Sequence, residues 1–322
     1  MHSAEHVVVT AALPETVLDS LRELGPLWTP QTPAPLSAAQ LREAVAGARA
    51  IVSTLNDRIT GEVADAAGDG LRIVANVAVG FDNVDVAALR SRGTVVTNTP
   101  GVLTDATADL TFGLLLAVTR RLGEGERLLR SRTPWEFDLG FMLGSGLQGK
   151  TLGIVGLGQI GRAVAHRARA FGMDVVYSGR RQADERVERE LQARHLPLPE
   201  LLRTADVVSL HCPLTPQTRH LVDAAALAAM KPSAYLVNTT RGPVVDEAAL
   251  ADALERGEIA GAGLDVFENE PEVHPRLLGL DTVALAPHLG SATVETRTAM
   301  AQLAADNVRA VLRGGAPLTP VG

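Results

Sequence analysis

Three side chains of complementary chemistry, Arg241, Glu270 and His288, each come shortly after an apolar run that predicts a β-strand. The carboxyl ends of parallel strands meet at one edge of a sheet, so we expect the three to lie together there. A guanidinium can hold a carboxylate and polarise a neighbouring keto group, and an imidazolium can protonate the alkoxide that forms on reduction. A carboxylate beside the imidazole orients it and favours its charged form. The set therefore suits the reduction of a 2-keto acid.

The pattern alone leaves the choice of carboxylate open. Glu268 lies two residues before Glu270, and either side chain could face the cleft. The pair formed by Glu270 and Pro271, together with the family resemblance described below, favours Glu270.

A glycine-rich turn provides a binding site for the reductant. It follows the apolar run 151–155, opens a helical pattern over residues 162–170, and consists of Gly156, Leu157, Gly158, Gln159, Ile160 and Gly161. A dinucleotide-binding βαβ unit requires this order, because the glycines allow the tight turn, the approach of the backbone to a pyrophosphate and the close packing of the helix. The helix N-terminus favours the phosphates. We therefore predict a nicotinamide dinucleotide cofactor.

The tip of the next predicted strand indicates which cofactor is preferred. A carboxylate usually ends this strand, about 20 residues after the glycines, and binds the adenosine ribose. Here Asp174 opens the strand, and the tip consists of Ser178, Gly179, Arg180 and Arg181. A hydroxyl and two guanidinium groups suit a 2′-phosphate, which no anion repels. We predict that NADP(H) is preferred to NAD(H); two solvated arginines on a loop are the alternative interpretation.

The neighbours His211 and Cys212 raise the question of a metal site or a nucleophile. No third or fourth ligand is near them in the sequence, and Cys212 is the only cysteine of the chain. We predict no metal site and interpret the pair as packing in the cofactor loop.

Alternating strands and helices position all these residues. Apolar runs at residues 7–10, 50–53, 72–75 and 94–97 predict a first α/β domain. Six further runs predict a second, doubly wound parallel sheet: residues 152–155, 174–178, 207–210, 234–238, 262–266 and 283–286. Residues 104–129 resemble one long helix between the domains, and residues 294–312 a last helix that returns to the first domain.

The predicted fold class is therefore α/β, with two Rossmann-like or flavodoxin-like doubly wound parallel-sheet domains. The cofactor domain, residues 102–289, is inserted in a discontinuous substrate domain, residues 1–101 and 290–322.

Composition and charge exclude several other classes of protein. The net charge is −7 and no long basic block is present, which argues against binding to nucleic acid. No apolar stretch reaches the ~18 residues of a membrane span, and no signal peptide is apparent. We expect a cytoplasmic protein that binds neither nucleic acid nor membrane. Residues 104–129 are apolar around most of the helix, which predicts burial against a second subunit and hence a homodimer.

With these residues in place, the chain resembles the D-isomer-specific 2-hydroxyacid dehydrogenases, and within them the glyoxylate/hydroxypyruvate reductases. The matching segments run in the family's order and are residues 79–82, 156–161, 211–215, 238–242, 263–267 and 287–293. The resemblance implies that Arg241, Glu270 and His288 form the catalytic set. It also implies that NADPH is the cofactor for the arginine-containing strand tip.

The resemblance assigns further residues to the site. It implies that the backbone amides of Val79 and Gly80 hold the substrate carboxylate and that Thr239 and Asp265 lie by the nicotinamide. Other members of the matching segments are expected at the cofactor, namely Cys212, Pro213 and Gly290, and at the substrate, namely Ser291. This branch often contributes a tryptophan to the neighbouring subunit's site, and by position its equivalent is Phe141, with Trp135 nearby.

The expected activity is the NADPH-preferring reduction of glyoxylate and hydroxypyruvate to glycolate and D-glycerate. One alternative is an NAD-dependent D-2-hydroxyacid dehydrogenase of other specificity, for D-lactate or D-glycerate. A second alternative is a non-enzymatic nucleotide-sensing scaffold or corepressor of the same fold. The complete set of Arg241, Glu270 and His288 argues against the scaffold.

Overall fold

The computed structural model describes residues 6–32 and 34–321. The chain forms two compact units, Met1–Leu103 with Thr293–Gly322, and Thr104–Ala292. Each unit contains one parallel sheet, and the second unit is an insertion in the first. The prediction of an α/β protein with an inserted cofactor domain is confirmed.

The first unit is built on a five-stranded parallel sheet in the order β2-β1-β3-β4-β5. Its strands are β1 (His6–Val9), β2 (Leu27–Trp28), β3 (Ala48–Ser53), β4 (Ile73–Asn76) and β5 (Val95–Thr97). Its helices are α1 (Glu15–Arg22), α2 (Ala38–Ala44), α3 (Gly61–Ala67), α4 (Val86–Ser91) and, from the end of the chain, α13 (Val294–Leu312). Side chains alternate along β1, so Val8 packs in the layer of α2 to α4, and Val7 and Val9 pack in the layer of α1 and α13.

The second unit is built on a seven-stranded parallel sheet in the order β12-β11-β10-β9-β6-β7-β8. Its strands are β6 (Thr151–Val155), β7 (Asp174–Ser178), β8 (Ala193–His195), β9 (Val207–Leu210), β10 (Tyr235–Asn238), β11 (Gly261–Leu264) and β12 (Val283–Leu285). Its helices are α5 (Thr104–Thr119), α6 (Leu122–Arg130), α7 (Gln159–Ala170), α8 (Glu185–Leu191), α9 (Leu198–Thr204), α10 (Ala224–Ala228), α11 (Glu247–Glu255) and α12 (Pro275–Leu278). Apolar layers cover both faces of this sheet.

The strand order changes direction at β6, which lies between β9 and β7. Ligands of doubly wound sheets bind at such a switch point, outside the carboxyl ends of the strands. The glycine-rich turn follows β6, and the loops of Arg241, Glu270 and His288 follow β10, β11 and β12. The fold therefore brings the predicted site residues of this unit to one edge of its sheet.

The structure corrects the prediction for residues 104–129. Instead of one helix there are two, because α5 ends at Thr119 and Arg121 has a left-handed φ of 53° before α6 begins. The apolar side chains of α5 are buried within their own unit, against α7, β10 and β11. Burial of α5 therefore does not require a second subunit. No helix among residues 6–32 and 34–321 is long and apolar enough to cross a membrane.

Two strands of the structure were not predicted. β2 has two residues and β8 has three, and each lies at an edge of its sheet. Neither contains a β-branched residue, and only Ala193 among their residues is fully buried. Short edge strands of this kind lack the apolar run by which the other strands were recognised.

Candidate active site

The imidazole of His288 and the carboxylate of Glu270 form a hydrogen-bonded pair. Nδ1 of His288 lies 2.8 Å from Oε2 of Glu270, and Oε1 accepts the N–H of Phe267 at 3.0 Å. Since Nδ1 is engaged, Nε2 is the ring nitrogen that can meet a substrate. Burial acts to raise the pKa of Glu270, but the hydrogen bond and charge of His288, with the Phe267 amide and Arg241, hold that pKa below its ordinary value. Glu270 is therefore ionised at neutral pH.

Asp265 fixes the turn that contains His288. The N–H of His288 donates to the carbonyl oxygen of Asp265 at 2.8 Å, and His288 itself is left-handed, with φ 53°. The buried Asp265 carboxylate accepts the N–H groups of Leu289 and Gly290 at 2.6 and 2.8 Å. Burial raises the pKa of Asp265, and these two amides offset part of the rise. The turn is thus tied to the end of β11, which restricts where the imidazole can lie.

Arg241 leaves β10 on a loop that is folded around Asn238. The buried amide of Asn238 donates to the carbonyl oxygen of Arg241 at 2.9 Å, and its Oδ1 accepts the N–H and the hydroxyl of Thr240, each at 3.0 Å. A Cβ on Gly242 would overlap the carbonyl group of Phe267, so this position requires glycine. The close approach joins the loop of Arg241 to the loop of Glu270. The structure therefore places Arg241, Glu270 and His288 in one neighbourhood.

The glycine-rich turn has the geometry of a phosphate cradle. Gly156 has φ 100°, and a Cβ on it would lie 2.7 Å from the carbonyl group of His211. No described atom lies within 4 Å of a Cβ placed on Gly158, so the backbone there faces open space at the start of α7. Leu157, Gln159 and Ile160 complete the turn, and Gly161 packs directly on the carbonyl oxygen of Gly156. These residues fit the pyrophosphate of a dinucleotide, held at the helix N-terminus.

The strand tip after β7 is a loop with a fixed base and exposed arginines. Gly179, Arg180 and Arg181 are exposed, Ser178 is buried, and neither arginine forms an ion pair with a described carboxylate. The hydroxyl of Tyr177 accepts the N–H of Ala183 at 2.8 Å and donates to Glu188 at 2.6 Å. Burial, and then Glu188, raise the pKa of Tyr177 to about 12, so this hydroxyl remains a donor. The two guanidinium groups are therefore free to meet a phosphate on an anchored loop.

His211 and Cys212 pack against the glycine-rich turn. Nε2 of His211 lies 2.7 Å from Oγ of Ser209, and burial lowers the pKa of His211 to about 3. Burial also raises the pKa of the Cys212 thiol to about 11. Both groups are uncharged at neutral pH, so neither is an activated nucleophile. Pro213 follows and is exposed. Within the described residues, no group of three or more His, Cys, Asp or Glu side chains could hold a metal ion.

Helix α5 borders the site beside β10 and the turn after β12. Oγ1 of Thr239 lies 3.0 Å from Oγ1 of Thr111, and Thr107 donates to the carbonyl oxygen of Gly290 at 3.1 Å. Ser291 follows Gly290 and is half-buried. The hydroxyls of α5 thus contact the side chain of Thr239 and the backbone of Gly290, two of the residues expected at the cofactor.

Val79 and Gly80 lie in the first unit, on the loop after β4. Asn98 donates to the carbonyl oxygen of Val79 at 2.8 Å, and Asn76 donates to that of Gly80 at 3.0 Å. The amide N–H groups of Val79 and Gly80 donate to no acceptor among the described residues. The N–H of Val79 shares its peptide plane with the carbonyl group of Ala78, which accepts the N–H of Thr99 at 2.9 Å, and the N–H of Gly80 shares its plane with the carbonyl group of Val79, which Asn98 holds. The loop therefore offers two adjacent donors in fixed peptide planes, an arrangement that suits a carboxylate.

Asparagines are the supporting residues that the sequence analysis missed. Asn76 and Asn238 end β4 and β10, and Asn98 follows β5 directly. Each holds the backbone of a predicted site residue through a side-chain hydrogen bond. A polar residue at the carboxyl end of an apolar run is the signal by which they could have been found.

Similarity to known proteins extends over nearly the whole chain. Residues 112–290 match the family model of the D-isomer specific 2-hydroxyacid dehydrogenase NAD binding domain. The chain is 46% identical over 319 residues to a glyoxylate reductase of Thermococcus onnurineus, covering 98% of this chain and 95% of the relative. It is likewise 46% identical over 319 residues to a glyoxylate reductase of Pyrococcus furiosus, covering 98% of this chain and 94% of the relative.

A solved structure is similar along the whole chain. It is an NADPH-dependent glyoxylate/hydroxypyruvate reductase from Sinorhizobium meliloti in complex with NADP and malonate. Its TM-score is 0.85 and its sequence identity 38%, over 99% of this chain and 97% of the other.

Proposed function

The chain belongs to the D-isomer specific 2-hydroxyacid dehydrogenase family, and we propose that it reduces glyoxylate and hydroxypyruvate with NADPH as the preferred cofactor. The products are glycolate and D-glycerate. The observation that supports this most directly is the 2.8 Å pair of Glu270 and His288, with Arg241 near enough to lower the pKa of Glu270. These are the acid, its orienting carboxylate and the cation that the reduction of a 2-keto acid needs.

The proposed mechanism assigns one task to each of these side chains. When bound, the reduced nicotinamide supplies a hydride to C2 of the keto acid. Arg241 binds the substrate and polarises its carbonyl group, whose electron pair moves onto the oxygen. Nε2 of His288 gives its proton to that oxygen, and Glu270 stabilises the imidazolium before the transfer and orients the ring. Solvent returns the proton to His288 after the product leaves.

The remaining predicted residues are assigned to binding. The amides of Val79 and Gly80 are proposed to hold the substrate carboxylate, with Ser291 also at the substrate. The residues proposed to hold the cofactor, besides those of the glycine-rich turn and the strand tip, are Cys212, Pro213, Thr239, Asp265 and Gly290. The orphan amides of Val79 and Gly80 and the open backbone at Gly158 support these assignments.

The preference for NADPH rests on the loop after β7. Arg180 and Arg181 are exposed and unpaired with described carboxylates, and no acid ends the strand. A 2′-phosphate would bind two guanidinium groups there, whereas a ribose hydroxyl would find no carboxylate acceptor at that position. That the similar reductase from Sinorhizobium meliloti is NADPH-dependent and was solved with NADP supports the same choice.

We further propose a homodimer. The evidence is no longer the apolar character of residues 104–129 but the exposed apolar side chains of a neighbouring segment. Residues 122–143 expose several large apolar side chains, namely Leu122, Leu129, Trp135, Phe137, Leu139 and Leu143. Trp135 and Phe141 stack with ring centroids 5.7 Å apart, so part of the segment is ordered by its own contacts. An apolar surface of this kind is typical of a contact between subunits.

The test is a substrate panel that also separates the alternatives. NADPH and NADH consumption is followed with glyoxylate, hydroxypyruvate and pyruvate, and the glycerate formed is analysed for its configuration. We expect the highest kcat/KM with NADPH as cofactor and glyoxylate or hydroxypyruvate as substrate. Hydroxypyruvate should give D-glycerate. Faster turnover with NADH and pyruvate would identify an NAD-dependent dehydrogenase of other specificity. Tight NADPH binding without any turnover would identify a scaffold.

A further inference from the structure

We propose that Glu268 is a positioning residue, which holds Glu270 against His288 through a hydrogen-bonded network with Glu247 and His220. The inference rests on the catalytic roles proposed above for Glu270 and His288. It concerns a different carboxylate, whose side chain faces away from that pair and contacts neither member of it in the hydrogen bonds described.

The side-chain carboxylates of Glu268 and Glu247 each accept the backbone N–H of the other residue. Oε1 of Glu247 accepts the N–H of Glu268 at 2.6 Å, and Oε2 of Glu268 accepts the N–H of Glu247 at 3.3 Å. Burial raises the pKa of Glu247, and the amides of Glu268 and His274 offset part of this rise. Since Glu247 begins α11, the exchange fastens the loop of Glu270 to the first turn of that helix.

His220 holds the other carboxylate oxygen of Glu268. Nε2 of His220 lies 2.6 Å from Oε1 of Glu268, and the guanidinium of Arg219 lies 3.7 Å from the same oxygen. The backbone of His220 is itself fixed, because its main-chain N–H donates to the carbonyl oxygen of Pro243 at 2.8 Å. Its Nδ1 lies 3.9 Å from Oδ2 of Asp246. The Glu268 side chain, 17% exposed, is thus held on both oxygens.

These contacts connect three segments at one point. The turn of His220, the loop of Arg241 with the start of α11, and the loop of Glu270 all meet at Glu268. Phe267 lies between Glu268 and the catalytic pair, because its N–H donates to Glu270 and its carbonyl group packs on Gly242. Movement of residue 268 would therefore displace the donor that fixes Glu270, and with it the carboxylate that His288 needs.

The charged neighbours of the two networks are distinct. Arg219, Asp246 and Glu247 lie next to Glu268 and His220, and His274 lies next to Glu247. Arg241 and Asp265 are the charged neighbours of Glu270 and His288. A change at Glu268 therefore reaches the imidazole through the position of Glu270, since Glu268 makes no described ion pair with His288.

The experiment compares pH profiles of kcat/KM for keto-acid reduction in Glu268→Ala, Glu268→Gln, Glu270→Gln and the wild type. Removing the charge of Glu270 moves the alkaline limb to lower pH, because the imidazolium loses a stabilising anion. Glu268→Ala is expected to move the limb in the same direction by less and to lower kcat/KM about tenfold, since small displacements of catalytic groups are costly. Glu268→Gln keeps the length of the side chain and one acceptor oxygen, which can still accept the N–H of Glu247, while its amide group can donate to an unprotonated Nε2 of His220. This variant should therefore restore most of the activity and the wild-type limb. NADPH affinity should not change.

The matched control is Glu272→Ala, an exposed carboxylate on the same segment, which should behave as the wild type. The inference would be overturned if the alkaline limb of Glu268→Ala lies at the same pH as that of the wild type while the limb of Glu270→Gln is shifted. The proposed function would then remain intact. An unshifted limb in Glu270→Gln would instead contradict the proposed role of Glu270. If Glu268→Ala does not fold, His220→Ala decides the matter, because it removes the group that holds Oε1 of Glu268 while Glu268 itself is kept. His220→Ala is expected to move the limb to lower pH by less than Glu270→Gln does, and an unshifted limb in this variant would overturn the inference.

Discussion

Glu268 and Glu270 are two residues apart and have different partners. Glu270 pairs with His288 at 2.8 Å, while Glu268 pairs with His220 at 2.6 Å. The N–H of Phe267 holds one oxygen of Glu270, and the other oxygen contacts the proposed acid. At the scale of single residues, the chemistry therefore depends on one hydrogen-bonded pair and on the groups that keep it aligned.

The pH dependence of this pair can be predicted from Glu270. A carboxyl whose pKa is lowered by folding stabilises the fold above its ordinary pKa of about 4.3, and that contribution is lost as the pH falls through the lowered value. Between about pH 6 and 9 the charge of Glu270 is therefore constant. A fall in the rate of reduction with rising pH in this range, with the opposite limb for oxidation of the hydroxy acid, is therefore expected from the proposed acid and not from its carboxylate partner. Flat profiles in both directions, measured as kcat/KM, would contradict the assignment of His288.

At the scale of elements, the loops after the strands decide both the cofactor and the geometry of the site. The loop after β7 presents Arg180 and Arg181, and a hydroxyl-carboxylate contact of Tyr177 and Glu188 anchors its base. The loop after β10 approaches the loop after β11 at Gly242 so closely that no side chain fits. Each loop yields a separate prediction.

Exchanging Gly179 for Asp and Arg180 for Ala should invert the preference between the two cofactors. The new carboxylate would accept hydrogen bonds from a ribose and repel a 2′-phosphate, which also loses one guanidinium partner. The measurement is the ratio of kcat/KM for NADPH and NADH at saturating keto acid. Arg189→Ala, an exposed change on α8, is the control and should leave the ratio as it is. An unchanged ratio in the double variant would contradict the cofactor assignment.

Gly242→Ala should reduce both stability and activity. Its Cβ would overlap the carbonyl group of Phe267, so the loops of Arg241 and Glu270 must separate. Overpacking of this kind lowers the free energy of unfolding by about 1–3 kcal/mol, and kcat/KM should fall because two catalytic loops are displaced. Gly113→Ala, in α5, is the control, because outside its chain neighbours and its own helix backbone no described atom lies within 4 Å of the new Cβ; it should stabilise the protein slightly. Denaturant unfolding measures the stability of both variants. A Gly242→Ala variant as stable as the wild type would contradict the close approach of the two loops.

At the scale of the whole molecule, most of the architecture follows from local patterns. Buried strands of four or more residues with β-branched side chains, such as β3 and β9, were predicted because both faces of each sheet are covered. The break between α5 and α6 at Arg121 was not predicted, because a left-handed φ at a residue other than glycine cannot be recognised from a helical sequence pattern. The partner of Glu268 could not be predicted either, because His220 lies 48 residues away and only the fold brings them together.

The proposed homodimer is a prediction at this scale. Phe137 and Leu139 are 80% and 89% exposed, and a contact between subunits would bury them. Sedimentation equilibrium should give twice the mass of one chain for the wild type and one chain mass for Phe137→Glu with Leu139→Glu. Leu318→Glu, an exposed leucine of the first unit, should remain dimeric. A wild type that sediments as a single chain would contradict the proposal.

The central claim is that His288 is the acid in the reduction of a 2-keto acid. Its most direct test is kcat/KM for the NADPH-dependent reduction of glyoxylate and hydroxypyruvate by the wild type and by His288→Ala, with the NADPH dissociation constant of each measured by nucleotide fluorescence. For His288→Ala we expect a loss of about 10²–10⁴-fold in kcat/KM with unchanged NADPH affinity. For His166→Ala, a change at an exposed histidine of α7, we expect no loss. Activity of His288→Ala equal to that of the wild type would contradict the central claim.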